Sequence, residues 1–196
     1  MPRTKAQNEA IRAEKKQLIM DVALRLFAEN GFESTSIDSI ASHAGISKGL
    51  VYAYFECKDD LLCQILAKGM RPFTDHISSD MTMEGFVTSV EHALDHILQN
   101  LDFFKLYTII SSQPKVTENI RLMLEVTNEY NDFYKGIAKL FTTLFGEERA
   151  LQEMLFFSVL MKGFTVITVF GDEQNRVPLG SLKGVVMGAI RERYIV

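Results

Sequence analysis

An all-α fold follows from three observations on this chain of 196 residues. Apolar side chains recur at three- and four-residue spacing along most of its length, no segment alternates with the period of a strand, and glycine, proline and asparagine mark the breaks between periodic runs. The length allows one large domain, or a small one joined to a medium one. Hydrophobic residues at 47% and charged residues at 23% place the chain among ordinary globular proteins, outside the disordered regime. Fourteen phenylalanines and nine methionines, with no tryptophan, suit an adaptable apolar interior.

The first periodic run is 15–30, where Leu18, Ile19, Val22, Ala23, Leu26 and Phe27 form one stripe. Asn30-Gly31 stops it, and Phe32 is expected to fold back onto the stripe. In 36–44, Ser36 suits an N-cap, Asp38 suits the positive end of the helix dipole, and Ile37, Ile40 and Ala41 face inward. Gly45 ends that helix after two turns. Ser47 caps another in which Val51 and Phe55 form the core side, while Lys48 and Tyr52 share a different face. A longer helix starts at Lys58 with Leu61, Leu62, Ile65 and Leu66 inward, bent near Pro72. Helices are then expected at 83–99, 101–112, 115–145 (one or two), 148–170 and 179–194.

Charge and motifs narrow the function. A net charge of −4 excludes a protein that coats nucleic acid generally, while leaving room for a local footprint. Arg3, Lys5, Arg12, Lys15 and Lys16 against Glu9 and Glu14 concentrate positive charge at the N-terminus. That stretch reads as a disordered tail, with a minor-groove arm as the alternative. It has no apolar run of a secretory signal. Cys57 and Cys63 would point about 240° apart on one helix, which favours free thiols and a reduced, cytoplasmic setting. The apolar run 154–170 holds Lys162 and Gly163 at its middle and reads as a helix buried on several sides, not a membrane span. His92 and His96, with Glu91 and Asp95 beside them, have the i, i+4 spacing of a metal pair. Lacking further placed ligands, they read as solvent- or pocket-facing. Phosphate-loop, GxSxG and HExxH patterns are absent, so neither a catalytic residue nor a cofactor is expected.

Two short helices joined by a glycine turn are how a helix-turn-helix sets its second helix into the major groove. The segment GFESTSIDSIASHAGISKGLVYAYFECKDDLL resembles the DNA-binding domain of the tetracycline-repressor (TetR) family of bacterial transcription regulators. The ordered matches are Phe27, Gly31-Phe32, Ser34 to Ser36, Ala41, Ala44 to Gly49, Tyr52, Tyr54, Phe55, Lys58 and Leu61, within residues 15 to 65.

The resemblance implies an N-terminal DNA-binding domain at 1–57 and a C-terminal ligand-binding and dimerisation domain at 58–196. It also implies a DNA-binding set of Ser47, at the start of the recognition helix; Lys48, to guanine; Gly49, for close approach; Leu50, to a thymine methyl; and Tyr52, Tyr54, Ser36 and Lys58, to phosphate. The competing reading makes the tyrosines half-buried surface aromatics and the lysines solvated charges. Asp38 departs from relatives that carry a basic residue nearby. By the same resemblance a small apolar effector occupies a cavity lined by Phe103, Phe104, Tyr107, Phe133, Tyr134, Phe157, Met161 and Phe164, for which plain core packing is the alternative. The helices 148–170 and 179–194 would form a homodimer that reads a near-palindrome, with recognition helices one DNA turn, about 34–36 Å, apart or somewhat more. The expected function is a repressor released by that effector. The alternative is an activator, or a DNA-bound interaction protein with the same domain.

Overall fold

The computed structural model describes residues 4–77, 82–113, 128–171 and 178–195, with the side chains of 73–77, 128–134 and 179 outside that description. Among the described residues there are nine helices and no strand. They are α1 (Lys5–Asn30), α2 (Ile37–His43), α3 (Lys48–Tyr52), α4 (Lys58–Ile77), α5 (Met83–Gln99), α6 (Leu101–Ser111), α7 (Asn128–Phe145), α8 (Glu147–Phe170) and α9 (Leu179–Tyr194). Of the helix or helices expected over 115–145, the part at 115–127 lies outside the described residues.

The chain divides into two compact units, Met1–Lys68 and Gly69–Val196. The boundary lies inside α4. Leu61, Leu62, Ile65 and Leu66, all buried, lie on the N-terminal side of it.

In the first unit, α1 begins ten residues earlier than its apolar stripe. Thr4 Oγ1 accepts from the Gln7 amide at 3.3 Å, and Gln7 Oε1 accepts from the Thr4 amide at 2.9 Å, a reciprocal capping box. Residues 5–16 of the basic run expected as a tail are therefore helix. Their Ala, Gln, Glu, Arg and Lys are strong helix formers, and periodicity cannot register a turn that faces water all round. At the other end Gly31 has φ +86°, which only glycine adopts without strain. The turn brings the Phe32 ring edge-on to Phe27, centroids 5.1 Å apart. Thr35, buried, donates to the Gly31 carbonyl at 2.8 Å, holding the chain as it enters α2.

The second unit has an aromatic centre. The Phe86 ring meets Phe141 and Phe157, both at 5.5 Å, and Tyr194 at 5.6 Å. Gly146, at φ +76°, makes the reversal between α7 and α8. Lys183 reaches from α9 to Asp95 at 2.6 Å and Glu91 at 3.4 Å on α5, and Arg191 adds a 3.3 Å contact to Glu91.

Glu153 is the buried charge of this unit, 1% exposed on α8. It accepts from Arg193 at 3.0 and 3.1 Å, from the Tyr194 hydroxyl at 2.7 Å and from Arg149 at 2.8 Å. The Arg193 hydrogen bonds outweigh the cost of burial and hold its carboxyl at about 2, against an ordinary 4.5. Burial, with Glu153 as hydrogen-bond partner, pushes the Tyr194 hydroxyl up to about 12.

The helix α8 departs from expectation. It was read as buried on several sides, yet in this chain only 17% of its most apolar stretch is buried. Ala150, Glu153, Phe164, Thr165 and Thr168 face inward, whereas Leu151, Leu155, Val159, Ile167 and Phe170 are exposed. Among the described residues it is the one helix long and apolar enough to cross a membrane by length and composition.

Because the folded-state value of Glu153 lies below its unfolded one, its contribution is complete above about pH 4.5 and disappears as pH falls towards 2. Thermal melts should therefore show the parent losing stability across that interval. Glu153→Gln should already be destabilised at pH 7, by about 2 kcal/mol, since Arg193 is partly solvated, and should respond less to acid.

Candidate functional site

Five residues are too few for an independent helix, so α3 is held by its surroundings. Val51 is fully buried and Phe55, just beyond the helix, is 2% exposed. Gly45, at φ +64°, turns the chain out of α2, and the Ile46 amide donates to the Ala41 carbonyl at 3.0 Å. Ser47 Oγ then accepts from the Leu50 amide at 3.3 Å, and Ser36 Oγ caps α2 by accepting from Ser39 at 3.1 Å.

With one side fixed in the core, the opposite side of α3 faces water. Tyr52 is 50% exposed, Lys48 and Gly49 are exposed, and Leu50 is half-buried. A Cβ added at Gly49 would meet nothing within 4 Å. Glycine inside a helix costs about 1 kcal/mol relative to alanine, and no neighbour in the chain requires it here. Its backbone is open to an approaching partner.

The electrostatics of this face were only partly legible. Lys48 Nζ donates to Asp38 Oδ2 at 2.7 Å across the α2–α3 turn. That hydrogen bond, and then the carboxylate's charge, raises the ammonium above its ordinary value. The α1 turns expected as a tail contribute as well: the Arg12 guanidinium stands 5.7 Å from the Tyr54 ring centroid, and Lys16 Nζ stands 5.7 Å from that of Phe55. Spacing four apart on a charged helix could have flagged the Arg12 and Lys16 pair, had that helix been recognised.

Lys58 is placed differently from its neighbours. Its ammonium donates to the carbonyls of Phe32 at 2.8 Å, Thr35 at 3.1 Å and Glu33 at 3.3 Å, and lies 4.4 Å from the Phe32 ring centroid. It ties the start of α4 to the α1–α2 loop. Its three donors are directed at main chain, so within the chain the ammonium acts as a brace.

In the second unit a cavity of about 380 Å³ opens between α5, α7 and α8, with Pro72 of α4 in its wall. Phe157 and Met161 line it, together with Phe86, Val90, Ile137, Leu140 and Phe141. Phe103, Phe104 and Phe164 are buried but absent from the lining; Phe103 meets Phe104 at 5.0 Å, and Tyr107 stacks on Phe103 at 6.3 Å. The side chains of Phe133 and Tyr134 lie outside those described. Aromatic richness announced an apolar interior without saying which rings fill it and which border a void.

The polar wall of the cavity is α5, with Ser89, His92, Asp95, His96 and Gln99. His96 Nε2 is 3.1 Å from the Gly69 carbonyl, and its Nδ1 is 3.0 Å from the Asn100 amide nitrogen, which also donates to the His96 carbonyl. No cluster of three potential metal ligands occurs among the described residues.

Comparison with known proteins places this architecture. Residues 19–65 match the family described as "Bacterial regulatory proteins, tetR family". The HTH-type transcriptional regulator TtgW of Pseudomonas putida is 31% identical over 97 residues, which is 47% of this chain and 72% of that protein. The chain belongs to the TetR family. YerO, an HTH-type transcriptional regulator of Bacillus subtilis, is 28% identical over 173 residues, 83% of this TetR-family chain. The match spans 58% of YerO's own length. A transcriptional regulator from Aquifex aeolicus shares the fold, with a TM-score of 0.72 at 18% identity over 92% of this chain and 99% of that one.

Replacing Lys58 with methionine keeps the apolar stem over Phe32 and removes the donors to three carbonyls. The variant should lose about 1–3 kcal/mol in thermal or urea unfolding. An unchanged midpoint would show that the ammonium braces nothing.

Proposed function

We propose that this TetR-family chain is a homodimeric transcriptional repressor that binds a near-palindromic operator through α3 and releases it when a small molecule occupies the cavity of the second unit. The observation that carries the DNA-binding part is the outer face of α3. Lys48, Gly49 and Tyr52 are exposed there on a helix whose other side, through Val51, is locked in the core. A donor, an open backbone and an amphipathic phenol are what major-groove and phosphate contacts use. Ser36, Ser47, Leu50 and Tyr54 flank them in this reading.

Dimerisation is supported by the stripe Leu151, Leu155 and Val159 on α8, with Val185 on α9. A Cβ added at Gly163, Gly184 or Gly188 would meet nothing within 4 Å. Helix-interior glycines with open space at the Cβ position suit close approach by a second copy. The effector reading rests on the 380 Å³ cavity, apolar on α7 and α8 and polar along α5. A two-decade change in DNA affinity needs about 2.7 kcal/mol of differential effector binding. Action on chromosomal DNA puts the protein in the cytoplasm.

Tyr52→Ala should weaken binding to a duplex selected from a random pool by about tenfold, the loss of one hydrogen bond to a charged group, without altering the melt. Equal affinity of parent and variant throughout a salt titration contradicts the assignment. Val159→Asp should turn a dimer into a monomer in sedimentation; a parent that sediments as a monomer contradicts the dimer.

A further inference from the structure

The Asp38–Lys48 pair is unusual for the surface it occupies. A face that meets DNA gains affinity from every free cation, yet here the lysine at the start of α3 is joined at 2.7 Å to a carboxylate of α2. Both are largely exposed, 66% for Asp38 and 50% for Lys48, so burial does not force the pairing. Nor is Asp38 needed as the cap of α2, because Ser36 fills that position. What the pair presents outward is a donor beside an acceptor, next to the open backbone of Gly49.

Two consequences follow from elementary electrostatics. A phosphate offers acceptors only, so it can recruit Lys48 but repels Asp38. Generic duplex contact therefore gains little from this lysine. The major-groove edge of a G·C pair differs, presenting guanine O6 and N7 as acceptors beside the cytosine N4 amino donor. Lysine donates to the first two and a carboxylate accepts from the third. The pair's own order of donor and acceptor matches that edge.

We propose that Asp38 and Lys48 act as one reading unit for a G·C base pair in each half-site, with Asp38 as a specificity-determining residue that suppresses phosphate binding by Lys48. The proposal rests on the DNA-binding role of α3 argued above. Asp38 trades affinity for discrimination: it weakens every duplex and weakens the matching one least.

The test selects duplexes from a random pool with the full chain, with Asp38→Asn and with Lys48→Met, then measures each protein against its selected duplex and a random duplex of about 30 bp, long enough for two half-sites a helical turn apart, at several salt concentrations. Asn keeps the shape and removes the charge. The parent should enrich a G·C pair at a fixed half-site position, and Asp38→Asn should lose that preference. The variant should also bind the random duplex several-fold tighter, with a slope of log affinity on log salt steeper by about one per freed lysine. Lys48→Met should lose the same preference and, with the Asp38 carboxylate left unpaired against phosphate, should bind the random duplex more weakly, opposite in sign to Asp38→Asn. A parent that selects a motif unchanged in Asp38→Asn, with equal salt slopes, overturns the reading unit and leaves DNA binding standing. A parent that selects no duplex overturns both.

Discussion

The structure of the first unit depends on burying Val51 and Phe55. A helix as short as α3 has no stability of its own, since nucleation is costly and almost no propagation follows to offset it. Its conformation is a consequence of two apolar side chains being held in a core with Phe27, Ile40, Leu61 and Leu62, all buried in the same unit. Everything exposed on α3 inherits its position from that anchorage. Tyr52 and Lys48 are thus oriented by the helix that carries them, which keeps their polar groups at the surface where a partner can reach them.

Two devices make the anchorage rigid. Thr35 and Lys58 together cover carbonyls from the end of α1 through the α1–α2 loop: Leu26 and Gly31 through the hydroxyl, Phe32, Glu33 and Thr35 through the ammonium. A charged donor beneath an exposed loop is an economical brace, because its apolar stem also covers the Phe32 ring. The second unit follows a different rule. Glu153 fastens α8 to α9 and Lys183 fastens α9 to α5 at polar points, and the apolar outer stripe of α8 remains uncovered in the single chain. Burial of that stripe by a second copy is the simplest way for such a helix to satisfy the hydrophobic effect in water.

Much of this was legible in the sequence, for identifiable reasons. Elements bounded by a capping serine or a glycine were placed closely, as at Ser36, Gly45, Ser47 and Gly146, because those residues carry local conformational information. The first three turns of α1 were missed because they are helical by propensity and capping alone, with no buried face to give a period. The Asp38–Lys48 contact joins residues ten apart across a turn, beyond the reach of helical spacing. The cavity lining was the least legible: of the residues expected there, Phe157 and Met161 border the 380 Å³ cavity while Phe103, Phe104 and Phe164 are buried away from it, and α5's contribution went unseen apart from His92 and His96. Which side of a buried ring faces a void is decided by how helices cross, and periodicity carries no information on that.

The central claim is that a locked core presents the outer side of α3 to DNA. Hydrogen exchange of the full chain with and without the duplex it selects tests this most directly. The account predicts added protection confined, in the first unit, to the segments around 36–38 and 47–54. The buried parts of α1 and α4 should exchange as before, since their anchorage exists without DNA. Protection spread through α1, α2 and α4, or absent from 47–54, would mean that DNA either folds this unit or is bound elsewhere, and would contradict the account.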